Sequence, residues 1–343
     1  MQFAAATLGE EPIERLAGIV KLCETFGYDD FFHADEKYTR DPYVSLGYCA
    51  ALTSRIGLGI TVTDPHTRYP AISAQAIGTL EEASKGRLSI TIGAGSHFET
   101  LGIQRKNTVV AIREAVYLIR QLLAGKDLEF HGKVVNFNKG HLDFKPERVT
   151  PIYVAARGVG TLTLAGEIGD GVVIGSFATR KGMDYCTNLV KEGAKKAGRN
   201  YSAVKKLLWA YGCIAKRPED AYAAVKRGIS HALWSSRELW ASGELEEQVG
   251  VKLPPPLAKF IRDAPKDWRE ETMSDLRSLI PDSLVEDLAV AGSAETVIEK
   301  LKMMDSLGID ETIIWAHAAK GQRLEDVFAL YSSEIMPYFG KTW

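Results

Sequence analysis

Residues 57–96 read GLGITVTDPHTRYPAISAQAIGTLEEASKGRLSITIGAGS. Two short β-branched runs, GLGITVT from Gly57 and RLSITIGAG from Arg87, begin 30 residues apart with a helical stretch between them. That is about the smallest period in which a strand, a crossover helix and a second parallel strand fit. The runs are apolar nearly throughout rather than alternating, as parallel strands covered on both faces should be.

The same unit recurs on both sides. Strand-like runs begin near Gln2 (QFAAAT) and Asp29 (DDFFHA) upstream, and near Pro151 (PIYVAAR), Gly171 (GVVIGS), Lys206 (KLLWAYGCIA) and Glu311 (ETIIWAHA) downstream. Helical spacing separates them: Ile13, Leu16, Ile19, Val20 and Cys23 recur on one face before Gly27, and Val109 to Leu123 runs into Ala124-Gly125. Eight strands alternating with helices predict an α/β fold, a (β/α)8 TIM barrel, with a doubly wound open sheet as the alternative. LGEEP follows the first strand where a Rossmann unit would carry its glycine-rich phosphate fingerprint, which counts against that alternative.

The chain's 343 residues exceed a barrel of roughly 250 by about 90. Strand starts at 2, 29, 57 and 87 are 27, 28 and 30 residues apart, but 87 to 151 spans 64 and 206 to 311 spans 105. The chain therefore reads as one barrel domain over 1–343, with insertions after strands four and seven at approximately 125–150 and 228–290. The first holds DLEFHGKVVNFNKGHLDF, whose β-rich halves around Gly132 and Gly140 predict a hairpin. The second holds Trp234, Trp240, the charged stretch Glu244–Glu247, Pro254-Pro255-Pro256 and a polar run from Asp263 to Asp275, and reads as a loop-and-helix lid over the mouth.

Composition narrows the function classes. Hydrophobic residues make up 45 % and charged residues 25 %, which excludes general disorder. With 42 basic and 44 acidic side chains the formal net charge is −2, so no global field favours nucleic acid or an anionic membrane as partner. No apolar run approaches the length of a membrane span, and MQFAAATLGEEPIERL has no basic n-region, so the expectation is a soluble, cytoplasmic protein. Cys23, Cys49, Cys186 and Cys213 are scattered without a CxxC pair, which fits reduced, packed thiols and no metal site.

In a barrel the chemistry sits at C-terminal strand ends. Those ends carry His33-Ala34-Asp35-Glu36, Asp64-Pro65-His66, Gly93-Ala94-Gly95-Ser96-His97, Ala155-Ala156-Arg157-Gly158, Gly175-Ser176 and Trp315-Ala316-His317. Small residues on strands four to six leave room for a flat ring, and Gly158 and Gly175-Ser176 could offer N–H groups to a phosphate. Each also has a plainer reading. GAG after a strand is ordinary turn chemistry, His33 lies in an apolar run as a core histidine would, and His317 reads either way. Adjacent residues point apart on an extended chain, so at most one of Asp35 and Glu36 faces the mouth. No HExxH, GxSxG or Walker A pattern is present.

Taken together, residues 57–96 and PIYVAARGVGTLTLAGEIGDGVVIG (151–175) resemble the bacterial-luciferase-like superfamily of flavin- and deazaflavin-dependent barrels, and within it the methylenetetrahydromethanopterin reductases; AGSAETVIEKLKMMDSLGIDETI (291–313) is a weaker echo. The resemblance implies coenzyme F420 as cofactor, with FMN as the alternative, and hydride transfer to or from a small organic substrate. It implies a bulge with a non-prolyl cis peptide at Thr61–Val62 behind the ring, Gly93 and Gly95 at the ring edge, and phosphate contacts from Ala156, Arg157, Gly158, Gly175 and Ser176. Asp35, Glu36, His97 and His317 are the candidates for orienting or proton-donating groups. Relatives often have His where this chain has Glu36, an acid where it has Ser96, and a strand-one Glu where it has Ala4-Ala5-Ala6, the loss being placed at Ala5. Two further readings follow from the resemblance: an FMN-dependent, luciferase-type monooxygenase, and a flavin-binding barrel without turnover. It also implies a homodimer or higher homo-oligomer.

Overall fold

A computed structural model describes residues 1–98, 100–175, 177–263 and 270–341, apart from the side chain of Glu244. Eight parallel strands form its centre: β1 (Gln2–Thr7), β2 (Asp30–His33), β3 (Gly57–Thr63), β4 (Leu88–Ile92), β5 (Ile152–Ala156), β6 (Gly171–Gly175), β7 (Lys205–Ile214) and β8 (Glu311–Ala316). Each strand pairs with the next, and β8 returns to β1 with Ala4 opposite Ile313, so the sheet closes and has no open edge. The doubly wound alternative is thereby excluded. A short additional strand, Val290–Gly292, pairs with the extended upper end of β7 at Gly212–Ile214. Three residues carry too little periodicity to be foreseen.

Alternation along each strand sorts side chains into two cores. Ala4, Ala6, Phe32, Tyr153, Val173, Leu207 and Ile313 fill the barrel, whereas Phe3, Ala5, Phe31, Leu58, Ile60 and Ile90 face the helices. Gly59 stands beside the Phe32 ring, and a Cβ there would overlap it. This pattern corrects one expectation. Ala5 points outward, so the strand-one position that borders the mouth is Ala6, which is level with Trp315.

The helices follow their apolar stripes. Ile13–Thr25 buries Leu16, Ile19, Val20 and Cys23, and Thr108–Leu123 ends at Gly125, whose φ of +75° suits glycine. The expected hairpin forms from Leu128–His131 and Asn136–Gly140. Glu114 pins its turn by accepting N–H bonds from Lys133, Val134 and Val135 at 2.7–2.9 Å. Gly132 passes so close to that carboxylate that any Cβ would collide with it. Between β7 and β8 lie the helices Arg237–Ala241, Glu244–Val249, Pro255–Asp263, Glu270–Ser278 and Asp282–Leu288. Trp234 and Trp240 are buried in the outer core rather than exposed over the mouth, with Trp240 6.2 Å from Phe177. All four cysteines are buried and unpaired. Among the described residues no helix is long and apolar enough to cross a membrane.

At the N-terminal end of the barrel three charged groups meet. Glu311 is fully buried, Lys205 Nζ lies 2.6 Å from its carboxylate, and the Asp30 carboxyl is close enough to couple to it electrostatically. Burial pushes the Glu311 carboxyl up, to about 8, with the Asp30 charge adding to the effect and Lys205 opposing it. The folded state then holds a proton that the unfolded chain has released, so this contribution is complete below the ordinary carboxylate range near 4.5 and gone above about 8. Melting temperature measured between pH 5 and pH 9 should fall more steeply in the wild type than in Glu311→Gln. Parallel curves would sink this account.

Candidate active site

The mouth is organised around one buried carboxylate. Asp64 directly follows β3 and accepts from the N–H groups of His66 and Thr67, both at 2.8 Å, and from Thr67 Oγ1 at 2.6 Å. Lys37, in the loop after β2, donates to it at 3.0 Å. Gly95, in the loop after β4, has φ +70°, and a Cβ there would stand 2.7 Å from Asp64. Burial pushes this carboxyl up, but Lys37 and the Thr67 bonds outweigh burial and hold it below the usual range. One anion thus ties three strand ends.

Just before it, β3 bulges: Thr61 and Val62, between Ile60 and Thr63, stand opposite the single residue Thr91 between Ile90 and Ile92 on β4. The Thr61–Val62 peptide is cis, as the resemblance implies. Val62 packs against Gly93, where a Cβ would lie 2.6 Å from Val62 Cγ1 and 3.0 Å from Ala155. Thr61 Oγ1 is buried without a protein partner.

Asp35 and Glu36 diverge as expected. Asp35 lies 3.6 Å from Arg68, which also bonds Asp41 and covers the Tyr43 ring. Glu36 crosses to the β4 loop, where it accepts from Ser96 Oγ at 2.8 Å and lies 3.1 Å from His97 Nε2. Burial raises its carboxyl, but the hydrogen bonds from His97 and Ser96 prevail and hold it low. Glu36 therefore brings a carboxylate to Ser96 and to the imidazole of His97 on the β4 loop.

His317 does not join this group. It is buried against Trp315 (4.5 Å between centroids) and Tyr211 beneath the helix Pro218–Ser235, and its Nδ1 bonds the Trp315 carbonyl. Burial lowers it to about 3, so it is neutral and serves packing better than proton transfer. His33 is likewise a core histidine, paired with Thr7 Oγ1 at 3.0 Å on the outer face of the barrel.

Three further residues stand beside the mouth, of which the sequence reading named only Trp315, as a strand end, and gave it no role. Trp209 on β7 and Trp315 on β8 stand 6.0 Å apart on the inner face, partly exposed above the barrel core. His231, from the helix after β7, meets Trp315 edge-on at 6.0 Å, and it is lowered to about 4 by burial and then by Arg227. Strict alternation through β7 and β8 would have put both indoles inside. His231 has no sequence signal, since it reaches the mouth only through how its helix packs.

On the neighbouring β6, where Gly175 pairs with Trp209, Arg157 lies across Gly175, and a Cβ there would stand 2.8 Å from Nε. The helix Val159–Ile168 starts at Gly158 with no side-chain cap, which leaves its first N–H groups without a capping side chain, the arrangement that suits an anion. Ala156 faces the outer core, leaving only its backbone for the mouth. Ser176 lies outside the described residues. Among the described residues no group of three or more His, Cys, Asp or Glu is placed to hold a metal ion.

Comparison with known proteins gives the same architecture. The family model described as luciferase-like monooxygenase matches residues 1–311. The 5,10-methylenetetrahydromethanopterin reductase of Archaeoglobus fulgidus is 30 % identical over 98 % of this chain and 99 % of its own. That of Methanolobus tindarius is 30 % identical over 98 % and 100 %. The solved structure of the coenzyme F420-dependent tetrahydromethanopterin reductase from Methanopyrus kandleri superposes with a TM-score of 0.85 at 25 % identity, covering 98 % of this chain and 99 % of that one.

Removing the Asp64 carboxylate strands the Lys37 ammonium among buried groups, so Asp64→Ala should destabilise the fold by about 3–5 kcal/mol in urea denaturation. Adding Lys37→Met should restore part of that loss. No recovery would mean that the ion pair is not what holds these loops.

Proposed function

Because the chain belongs to the luciferase-like monooxygenase family, we propose that it is an oxidoreductase using coenzyme F420 to exchange a hydride with an organic substrate in the barrel mouth. The observation that carries this reading is the set of groups gathered at the barrel rim. Gly93, Gly175, Arg157 and an uncapped helix start lie on β4–β6 and their loops, Trp209 and Trp315 lie on the neighbouring β7 and β8, and the Glu36–His97 pair joins the loops after β2 and β4.

The residues fit such a cofactor. Gly93 lets Val62 close in on β4 and Gly175 lets Arg157 lie against β6, and the helix start beside Arg157 suits a phosphate. Bound there, the deazaflavin supplies a hydride donor and acceptor at its C5. Val62 and Gly93 would line the ring's site, Arg157 and the N–H groups after Gly158 would hold the phosphate, and Trp209 and Trp315 would exclude water from the mouth. Hydride addition to a polar double bond leaves its heteroatom needing a proton. His97 delivers that proton while Glu36 orients the imidazole and balances its charge. Asp35 acts indirectly, through Arg68 and the loop that carries Glu36.

A pterin of the kind in the relatives' names is the first substrate to try, since Glu36 brings a carboxylate to within 2.8 Å of the Ser96 hydroxyl. The whole chain, 1–343, forms the catalytic unit, and the cytoplasm suits its unpaired thiols. Two copies associate through the helix Pro42–Leu52, which has no charged residue and exposes Val44 (67 %), Tyr48 (44 %) and Leu52 (43 %) at four-residue spacing.

Fluorescence titration with F420 and with FMN tests the cofactor: F420 should bind, and tight FMN binding without F420 binding would overturn the reading. Glu36→Gln and His97→Asn should each lower kcat about 100-fold while changing cofactor affinity less than threefold. If both variants keep wild-type kcat, the pair is not the proton donor. Light scattering should give a dimer for the wild type and a monomer for Val44→Lys/Tyr48→Glu.

A further inference from the structure

The Arg157 guanidinium is held from two sides. Nη1 donates to Ser235 Oγ at 2.9 Å, and that hydroxyl spends its own proton on the Ala232 carbonyl at 3.2 Å, which leaves its lone pairs for the arginine. On the other side the guanidinium rests over the bare Cα of Gly175, where a Cβ would lie 2.8 Å from Nε and 3.3 Å from Nη2. Ser235 is the last residue of the helix Pro218–Ser235, 78 positions along the chain from Arg157. Four residues on, Leu239 closes over Gly158, its Cδ2 being 3.4 Å from where a Cβ would be. The segment that follows β7 therefore grips the start of the helix Val159–Ile168 and its neighbouring arginine together.

A guanidinium fixed in plane presents its remaining N–H groups as a fork that matches two oxygens of a phosphate, whereas a swinging one must be ordered at the moment of binding. We propose that Ser235 is a positioning residue for the cofactor's phosphate: it fixes the plane of Arg157, and through it the segment after β7 sets how tightly the anionic tail is held. The identity of the anion as the F420 phosphodiester rests on the function proposed above. The chemistry itself applies to any phosphate ester at this position.

The test compares full-length wild type with Ser235→Ala, Ser235→Thr and Arg157→Lys. Fluorescence titration with F420 and FMN gives affinity, inorganic phosphate serves as competitor, and turnover separates kcat from KM. Ser235→Ala should raise the Kd and KM for F420 about five- to tenfold, the size of one ordinary hydrogen bond, with kcat within twofold. Competition by phosphate should weaken alongside. Ser235→Thr should restore affinity because it keeps the hydroxyl, and Arg157→Lys should not, because an ammonium cannot make the fork. A serine with a merely structural role would lower the melting temperature and leave Kd and phosphate competition unchanged; that result overturns the proposal, as does loss of kcat with Kd intact. If the wild type binds FMN but not F420, the cofactor reading falls, and the same Ser235 dependence measured on the FMN phosphate decides the inference. Wild type that binds neither, nor inorganic phosphate, overturns both.

Discussion

A buried carboxylate must be met by partners or it is not tolerated, and at the mouth of this barrel Asp64 imposes that requirement on three loops at once. Lys37 comes to it from the loop after β2, Thr67 and His66 fold around it after β3, and Gly95 yields space to it after β4. The consequence reaches the chemistry because Lys37 follows Glu36 in the chain and Gly95 precedes Ser96-His97. Placing the ion pair and the glycine places the Glu36 carboxylate against the Ser96 hydroxyl and the His97 ring. The Glu36–His97 pair is thus positioned by a group that never contacts it.

The same device recurs away from the mouth. Glu114 gathers three successive N–H groups of the hairpin turn, and Glu24 gathers those of Ser54, Arg55 and Ile56 ahead of β3. In each case a helix-borne carboxylate fixes a loop that has few apolar contacts of its own. The N-terminal end of the barrel is held differently, by the Asp30–Glu311–Lys205 cluster, whose charge balance depends on pH.

Much of this was legible in the chain. Continuous β-branched runs at a 27–30-residue period mark parallel strands covered on both faces, and the surplus length falls in two gaps, the first of which folds as the hairpin its turn residues foretell. Glycines at the ends of β4, β5 and β6 mark where backbone must approach something closely. Legibility failed where a role depended on direction. Ala5 and Ala6 are identical residues, and only the pairing register shows that Ala6 faces the mouth. His317 sits at a strand end, as a catalytic histidine would, yet it is packed behind Trp315.

What the amino-acid order decided alone is the set of strands and helices and their cyclic sequence, because periodicity and turn chemistry are local properties. It also marked the strand ends at which chemistry would lie. Tertiary structure decided which side chains meet. The reach of Glu36 across to His97, the grip of Ser235 on Arg157 and the arrival of His231 beside Trp315 join residues 61, 78 and 84 positions apart. No local pattern encodes those distances. They follow from closure of the sheet, which brings distant strand ends onto one rim, and from the buried charge that holds three of those ends in place.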